Sequence, residues 1–328
     1  MSELVEHYFA ILDSWLETND LREAVLFELV EADFPVLDAE IERLIRSKKV
    51  SKVELAESAI DDLLVYFKMD INRYLNIFFE ITKEYVPYKL FRAANEDNKM
   101  LLRKRLSEHN RMALYALAFC GDDFAVKQFA EWRKHLPPWI REEYTAIEIF
   151  TRDAGWELDE DEQKRLLYDP NCFAITVYHD DKLDTGLLCQ RCNRAMLSIE
   201  FPDDKVGGRN HIPFCDLCNG RERIETPKWI KKSPSIGGTL RLKIDKNLRD
   251  PFFSLSQFYR SSYSQIGGIP CWIQDPEYPS CSKCARTMIF HAQINAFDLV
   301  GAKIWDTMYY VFYCEFCKEE FRVSQQFS

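Results

Sequence analysis

The strongest constraint on this chain is a repeated knuckle. Cys189-x-x-Cys192, followed by Arg194 and Met196, recurs as Cys281-x-x-Cys284 with Arg286 and Met288, 92 positions later. Downstream, "PFCDLCNGRERI" falls on "FYCEFCKEEFRV", so Cys215 and Cys218 match Cys314 and Cys317. A two-residue gap lets both sulfurs of one turn reach a single ion, and two such turns complete a tetrahedron at about 2.3 Å from the metal. There are 22 residues between Cys192 and Cys215 and 29 between Cys284 and Cys314, close to the spacing of a zinc ribbon with a longer hairpin.

Two zinc-ribbon-like units of four cysteines are therefore expected, over 189–224 and 281–323, each holding one structural Zn2+. Pairing within each half is favoured because local loop closure costs less chain entropy than joining knuckles far apart in sequence. Four thiolates leave zinc no position for water, so these ions hold the fold and activate nothing. A redox dithiol is the competing reading of Cys-x-x-Cys, but that motif opens a helix in a thioredoxin-like unit, and here four copies pair off. Arg191, Arg194, Lys283 and Arg286 lie beside the sulfurs in sequence, where their charge would offset a doubly negative centre.

The rest of the chain divides by texture. Val5, Tyr8, Phe9, Ile11, Leu12, Trp15 and Leu16 recur at helical steps, predicting an opening helix that Asn19-Asp20 ends. Ser51-x-x-Glu54 has capping-box spacing and predicts the start of another helix, with Leu55, Ile60, Leu63, Leu64 and Phe67 as its apolar stripe. "NRMALYALAFCGDDFAVKQFAEWRKHLPPW" reads as two antiparallel helices joined at Gly121-Asp122-Asp123. No fixed repeat period runs through this part, so it is an irregular helical domain and not a solenoid. After about residue 170, "FAITVYH", "TLRLKI" and "MYYVFYC" predict strands. The fold class is α+β: an α-helical domain over 1–170, then a β-rich domain over 171–328, with linkers at Asp180–Gly186 and 231–239.

Charge follows the same division. Up to Leu187 there are 24 basic against 38 acidic side chains, a balance of −14; beyond it there are 19 against 15, a balance of +4. The first part would attract basic partners, and +4 is too mild to be a nucleic-acid footprint by itself. The start "MSELVEHYFA" carries acids where a secretory signal carries bases, and no apolar run reaches the roughly 18 residues that cross a bilayer. A cytoplasmic protein with no membrane partner is expected, and in that compartment 11 cysteines point to metal and not to disulfides.

At "GGIPCWIQDPEYPSCSKCARTMIFHAQINAF" the chain resembles the YwqG-like bacterial family, including its zinc-knuckle members. The likeness rests on Gly267-Gly268-Ile-Pro270-x-Trp272-Ile273-Gln274, then Met288-x-Phe290 and Gln293-Ile294, and with the upstream stretches "AFCGDDFAVKQFAEW…PPW" and "AGWELDEDEQKRLLYD", which resemble longer members, it covers residues from about 112 to 323. The resemblance implies a binding protein of a group in which some members are encoded near polymorphic toxins. It supplies no catalytic residues.

No catalytic motif stands out otherwise: the chain lacks a His-x-x-Glu-His, a Gly-x-Ser-x-Gly elbow and a phosphate-binding glycine loop. Asp159-Glu-Asp-Glu162 lacks the glycine and spacing of a calcium loop and reads as a solvated helix start. Cys120, Cys172 and Cys271 stand outside the knuckles, Cys120 as a small hydrophobe on an apolar helix face. Trp272 and Gln274 are possible interaction residues, with core packing the leading role for Trp272. Tyr309, Tyr310, Phe312 and Tyr313 fit either a half-buried strand or a base-stacking face. The leading expectation is a non-enzymatic protein-binding module, an immunity protein that neutralises a bacterial toxin. The alternative is a nucleic-acid-binding zinc-ribbon protein.

Overall fold

A computed structural model describes residues 3–13, 19–82, 85–180, 186–190, 192–201, 211–215, 238–253, 264–295, 307–317 and 321–327. It divides into two compact units, the described residues up to Arg165 and those from Leu166 onward.

The first unit is helical. In α1 (Glu3–Asp13), Val5, Tyr8, Phe9 and Ile11 are buried, as their spacing predicts, while Trp15 and Leu16 lie outside the described residues. Asn19 does not end this helix; it opens α2 (Asn19–Glu28). After α3 (Phe34–Arg46), α4 (Val50–Phe67) begins one residue before Ser51, with Lys49 extended at its cap and no side-chain cap bond, so the capping box does not form. Helix α5 (Asn72–Ile81) and a 3-10 turn over Tyr88–Ala93 follow.

Helix α4 carries its acids inward. Asp62 accepts from the Tyr8 hydroxyl at 2.7 Å, Asp61 is paired with Arg92, and Glu57 accepts from the Tyr85 hydroxyl. Each buried carboxylate thus has a donor of its own, the condition under which burying a charge is tolerable. Burial nonetheless pushes the Glu57 carboxyl up to about 7.

Helices α6 (Glu96–Ser107), α7 (Met112–Cys120) and α8 (Asp123–Lys134) complete the core of the unit. The α7–α8 joint follows the sequence reading: Gly121 takes the left-handed cap at φ 52°, and the Asp122 carboxylate accepts from Ala125 N at 2.9 Å. Two short helices, α9 (Pro138–Arg141) and α10 (Glu148–Asp153), lead to a hairpin of β1 (Trp156–Leu158) and β2 (Lys164–Leu166). The acidic run Asp159–Glu162 is the turn of this hairpin and not a helix start. Asp159 accepts from the backbone of Asp161 and Gln163 at 2.9 and 2.8 Å, and Glu162 sits at φ 59°. An Asp that bonds the backbone two residues on outcompetes the helix it was expected to start. The hairpin clamps α7: Trp156 Nε1 donates to Ala118 O and Lys164 Nζ to Gly121 O, both at 2.8 Å.

Among the described residues the second unit is one mixed sheet of eight strands. These are β3 (Cys172–Asp180), β4 (Leu197–Glu200), β5 (His211–Phe214), β6 (Gly238–Arg249), β7 (Gln265–Ile266), β8 (Ile289–Asn295), β9 (Thr307–Tyr313) and β10 (Phe321–Phe327). Their order is β10-β9-β8-β7-β3-β6-β4-β5, antiparallel throughout except for β4 beside β6. The sheet curls into a nearly closed barrel whose inner face carries Val177, Ile199, Leu240, Ile294, Tyr309 and Val311. Phe214 on the last strand meets Tyr309 of β9 at 5.0 Å between ring centroids. The linker expected at 231–239 ends in a strand, since Gly238 and Thr239 open β6, and 181–185 and 231–237 lie outside the described residues. No helix among the described residues is long and apolar enough to cross a membrane.

The Glu57 carboxyl gives a pH test. In the unfolded chain it titrates near 4.5 and in the fold at about 7, so its favourable contribution is complete below the first value and is lost as pH rises through the second. Between about pH 5 and about pH 8 this group alone should remove up to about 3 kcal/mol of stability. Urea unfolding followed by far-UV circular dichroism should therefore show a decline that Glu57→Gln abolishes in that amount.

Candidate metal centres

Both first knuckles close with the same hydrogen bonds. Cys189 N donates to Arg194 O at 2.8 Å, Asn193 N to Cys189 O at 2.8 Å, and Met196 N to Leu187 O at 3.0 Å. Their counterparts, Cys281 N to Arg286 O, Ala285 N to Cys281 O and Met288 N to Pro279 O, are each 2.9 Å. The residue that reverses the chain is left-handed in both, Asn193 at φ 57° and Ala285 at φ 60°. Asn tolerates that conformation; Ala does so at a cost of about 1–2 kcal/mol, which the turn must hold against.

Each knuckle then runs into a strand whose partner carries the next sulfur. Leu197 of β4 pairs with Phe214 of β5, and Ile289 of β8 pairs with Tyr313 of β9. The residue after each partner is a cysteine, Cys215 or Cys314, so strand register brings it beside the knuckle. The repeats part at His291, where β8 bulges between Phe290 and Ala292 and β4 does not. The His291 ring packs on Phe201 and Tyr313 at 5.0 and 5.7 Å, its Nε2 buried with no hydrogen-bond partner among the described residues, and burial pushes its pKa down to about 4.

The sulfurs of Cys281, Cys284, Cys314 and Cys317 all lie within 4.8 Å of one another, as do those of Cys189, Cys192 and Cys215. Cys218 lies outside the described residues. Across the knuckles, Cys192 Sγ is 3.5 Å from Cys215 Sγ and Cys284 Sγ is 3.6 Å from Cys314 Sγ. A tetrahedral thiolate cage has sulfur–sulfur edges of about 3.8 Å, so both groups have the size to hold a metal ion. Backbone N–H groups already point at sulfur, Lys283 N at Cys281 Sγ and Cys317 N at Cys314 Sγ, each at 3.4 Å. Burial pushes the Cys281 thiol up, the N–H groups of Cys284 and Lys283 pull it down, and the balance leaves it at about 7. Burial and the neighbouring sulfurs push Cys317 up to about 12. Such a cluster resists gathering negative charge, and a divalent cation supplies the counter-charge that lets all four ionise. Of the nearby cations, the Arg286 guanidinium stacks 4.0 Å from the centre of the Phe316 ring, and Arg191 lies outside the described residues.

The Gly-Gly-x-Pro-x-Trp segment is held by buried side chains that sequence reasoning missed. A Cβ on Gly267 would meet Asn171 O at 1.9 Å, and one on Gly268 would meet Pro251 O at 2.7 Å and Cys172 Sγ at 2.8 Å. Gln265 donates to Gly267 O and Ile269 O, and Gln293 accepts from Cys271 N. Tyr310 donates to Cys271 O at 2.7 Å. Gln326 accepts from Ile273 N and Gln274 N and donates to Asp275 O, bonding the loop as a neighbouring strand would. Trp272 is half-buried against Tyr278, Tyr310 and Phe312. Gln274 is exposed. The one available signal was polar Gln at alternate positions in apolar strands, which pattern reading assigns to solvent.

Tyr309, Tyr310 and Phe312 are at most 1% exposed and so offer no stacking face, while Tyr313 is partly exposed. Cys172 and Cys271 are buried and Cys120 is partly buried; burial pushes the thiols of Cys120 and Cys172 up to about 12. They belong to the packing and not to the cages. Elemental analysis should therefore find that Cys284→Ala lowers bound metal by about half and broadens or lowers the thermal transition of the β-rich unit, while Cys120→Ala leaves both unchanged.

With the geometry in hand, comparison with known proteins adds one relative. The chain is similar to YpfL of Salmonella typhimurium (strain LT2), itself described as uncharacterized, at 27% identity over 267 residues, or 71% of this chain. It spans 63% of the length of that protein. No family model and no solved structure matches the chain.

Proposed function

We propose that this chain is a cytoplasmic protein-binding module pinned by two structural zinc ions, and that it acts as an immunity protein neutralising a bacterial toxin by direct contact. The observation that carries the reading is the closed sulfur cage. Four cysteines within 4.8 Å of one another leave an ion no vacant position, and thiolate-only tetrahedral sites suit zinc. Each ion then fixes strand ends and turns, and recognition falls to the surrounding surface.

The −14 balance up to Leu187 supports a basic partner, because complementary charge steers encounter and raises association rate more than it deepens affinity. The YwqG-like resemblance, with some relatives encoded beside toxins, supports a toxin as that partner. A nucleic-acid reading has the knuckles and the +4 balance in its favour, but three of the four aromatics it would use, Tyr309, Tyr310 and Phe312, are buried.

Co-expression with a toxin encoded beside this chain in its native genome should restore growth, and the two proteins should copurify. Their association rate should fall by about tenfold or more as salt rises from about 0.05 M to about 0.5 M. Absence of both protection and copurification would overturn the reading; salt-sensitive binding of single-stranded nucleic acid by the chain alone would replace it.

A further inference from the structure

We infer that the two cages are oxidant-responsive, each closing one specific disulfide across its knuckles and expelling its ion. The inference rests on the metal-cage reading above. In both repeats one cross-knuckle pair of the same repeat position lies within hydrogen-bonding distance: Cys192 with Cys215 at 3.5 Å, and Cys284 with Cys314 at 3.6 Å. In both, the first partner is partly exposed and the second is buried. An accessible sulfur beside a sheltered one is the arrangement in which the first is oxidised and the second resolves it.

The reaction balances with hydrogen peroxide as the oxidant. The accessible thiolate, Cys192 or Cys284, attacks one peroxide oxygen, the O–O bond breaks, and a sulfenic acid and hydroxide result. The buried thiolate, Cys215 or Cys314, then attacks the sulfenic sulfur, forming the S–S bond and releasing a second hydroxide. Two thiolates have lost two electrons and peroxide has gained them. The sulfurs must close by about 1.5 Å to reach a disulfide bond length. Two of each cage's sulfurs are then spent, and the metal leaves.

The alternatives inside the chain are poorer. Cys172 and Cys271 are buried, and the Cys120 and Cys172 thiols are held protonated by burial, which suppresses attack on peroxide because the thiolate is the nucleophile. The device is reversible in principle, since a thiol reductant regenerates the ligands and added zinc refills the cage. Because Cys215 and Cys314 each directly follow a paired strand, β5 or β9, oxidation would release the ion at a strand end and uncouple metal from fold.

The test uses the full chain, loaded with zinc and checked by elemental analysis before oxidation. Hydrogen peroxide in modest excess should release zinc to a chromogenic chelator in step with disulfide formation, and non-reduced peptide mapping should find the Cys192–Cys215 and Cys284–Cys314 links. Dithiothreitol followed by zinc should restore the starting metal content. The triple variant Cys120→Ala, Cys172→Ala, Cys271→Ala should release zinc at the wild-type rate. Retained zinc, links confined to one knuckle such as Cys281–Cys284, sulfinic acid in place of disulfide, or loss of release in the triple variant would each overturn the inference. A chain that binds no metal before peroxide is added would overturn the cage reading, and the linkage map would then decide the pairing alone.

Discussion

Strand register is the constraint on which the β-rich unit depends. Leu197 opposite Phe214 and Ile289 opposite Tyr313 set where Cys215 and Cys314 fall, and a slip of one residue would turn those sulfurs to the other face of the sheet. A bound ion rewards only the correct register. The dependence also runs the other way, because the knuckles are short turns, one of them holding Ala285 at φ 60°. Metal binding of this kind supplies folding free energy of about 10–16 kcal/mol in isolated zinc fingers, enough to hold such turns closed.

The opposite face of the sheet has a different logic. Gln265 and Gln293 are fully buried and Gln326 is 1% exposed, yet their amides are used to bond the backbone of the 267–275 loop. Tyr310 and Phe312 lie beneath the same loop, packed on Trp272. Over β7 to β10 the sheet is thereby covered on both faces, apolar inside the barrel and hydrogen-bonded outside. Buried amides without partners would cost more than apolar replacements; bonded to the loop, they specify one loop conformation. Gly267 and Gly268 are the steric counterpart, since any side chain there would strike backbone or Cys172.

Much of this was legible in the sequence because it follows from spacing. The matching of Cys189, Cys192 and Cys215 to Cys281, Cys284 and Cys314 needs only counting, and the Gly121-Asp122 joint follows from what Gly and Asp do at helix ends. What was not legible depends on tertiary competition. Ser51 could have capped a helix, but α4 already starts at Val50, with Lys49 extended at its cap. Asp159 to Glu162 could have begun one, but Asp159 bonds the backbone of a hairpin instead. Asn19-Asp20 carried a helix-stop signal, yet Asn19 belongs to α2. The buried glutamines were hidden for the opposite reason: nothing local distinguishes a Gln that faces water from one that faces an empty row of loop amides.

The account is tested most directly by X-ray absorption at the zinc edge on the purified, zinc-loaded chain. It predicts a first shell of four sulfurs at about 2.3 Å with no oxygen or nitrogen scatterer. A shell containing water or another light atom would contradict it, because an ion with an open position is no longer an inert pin in the fold.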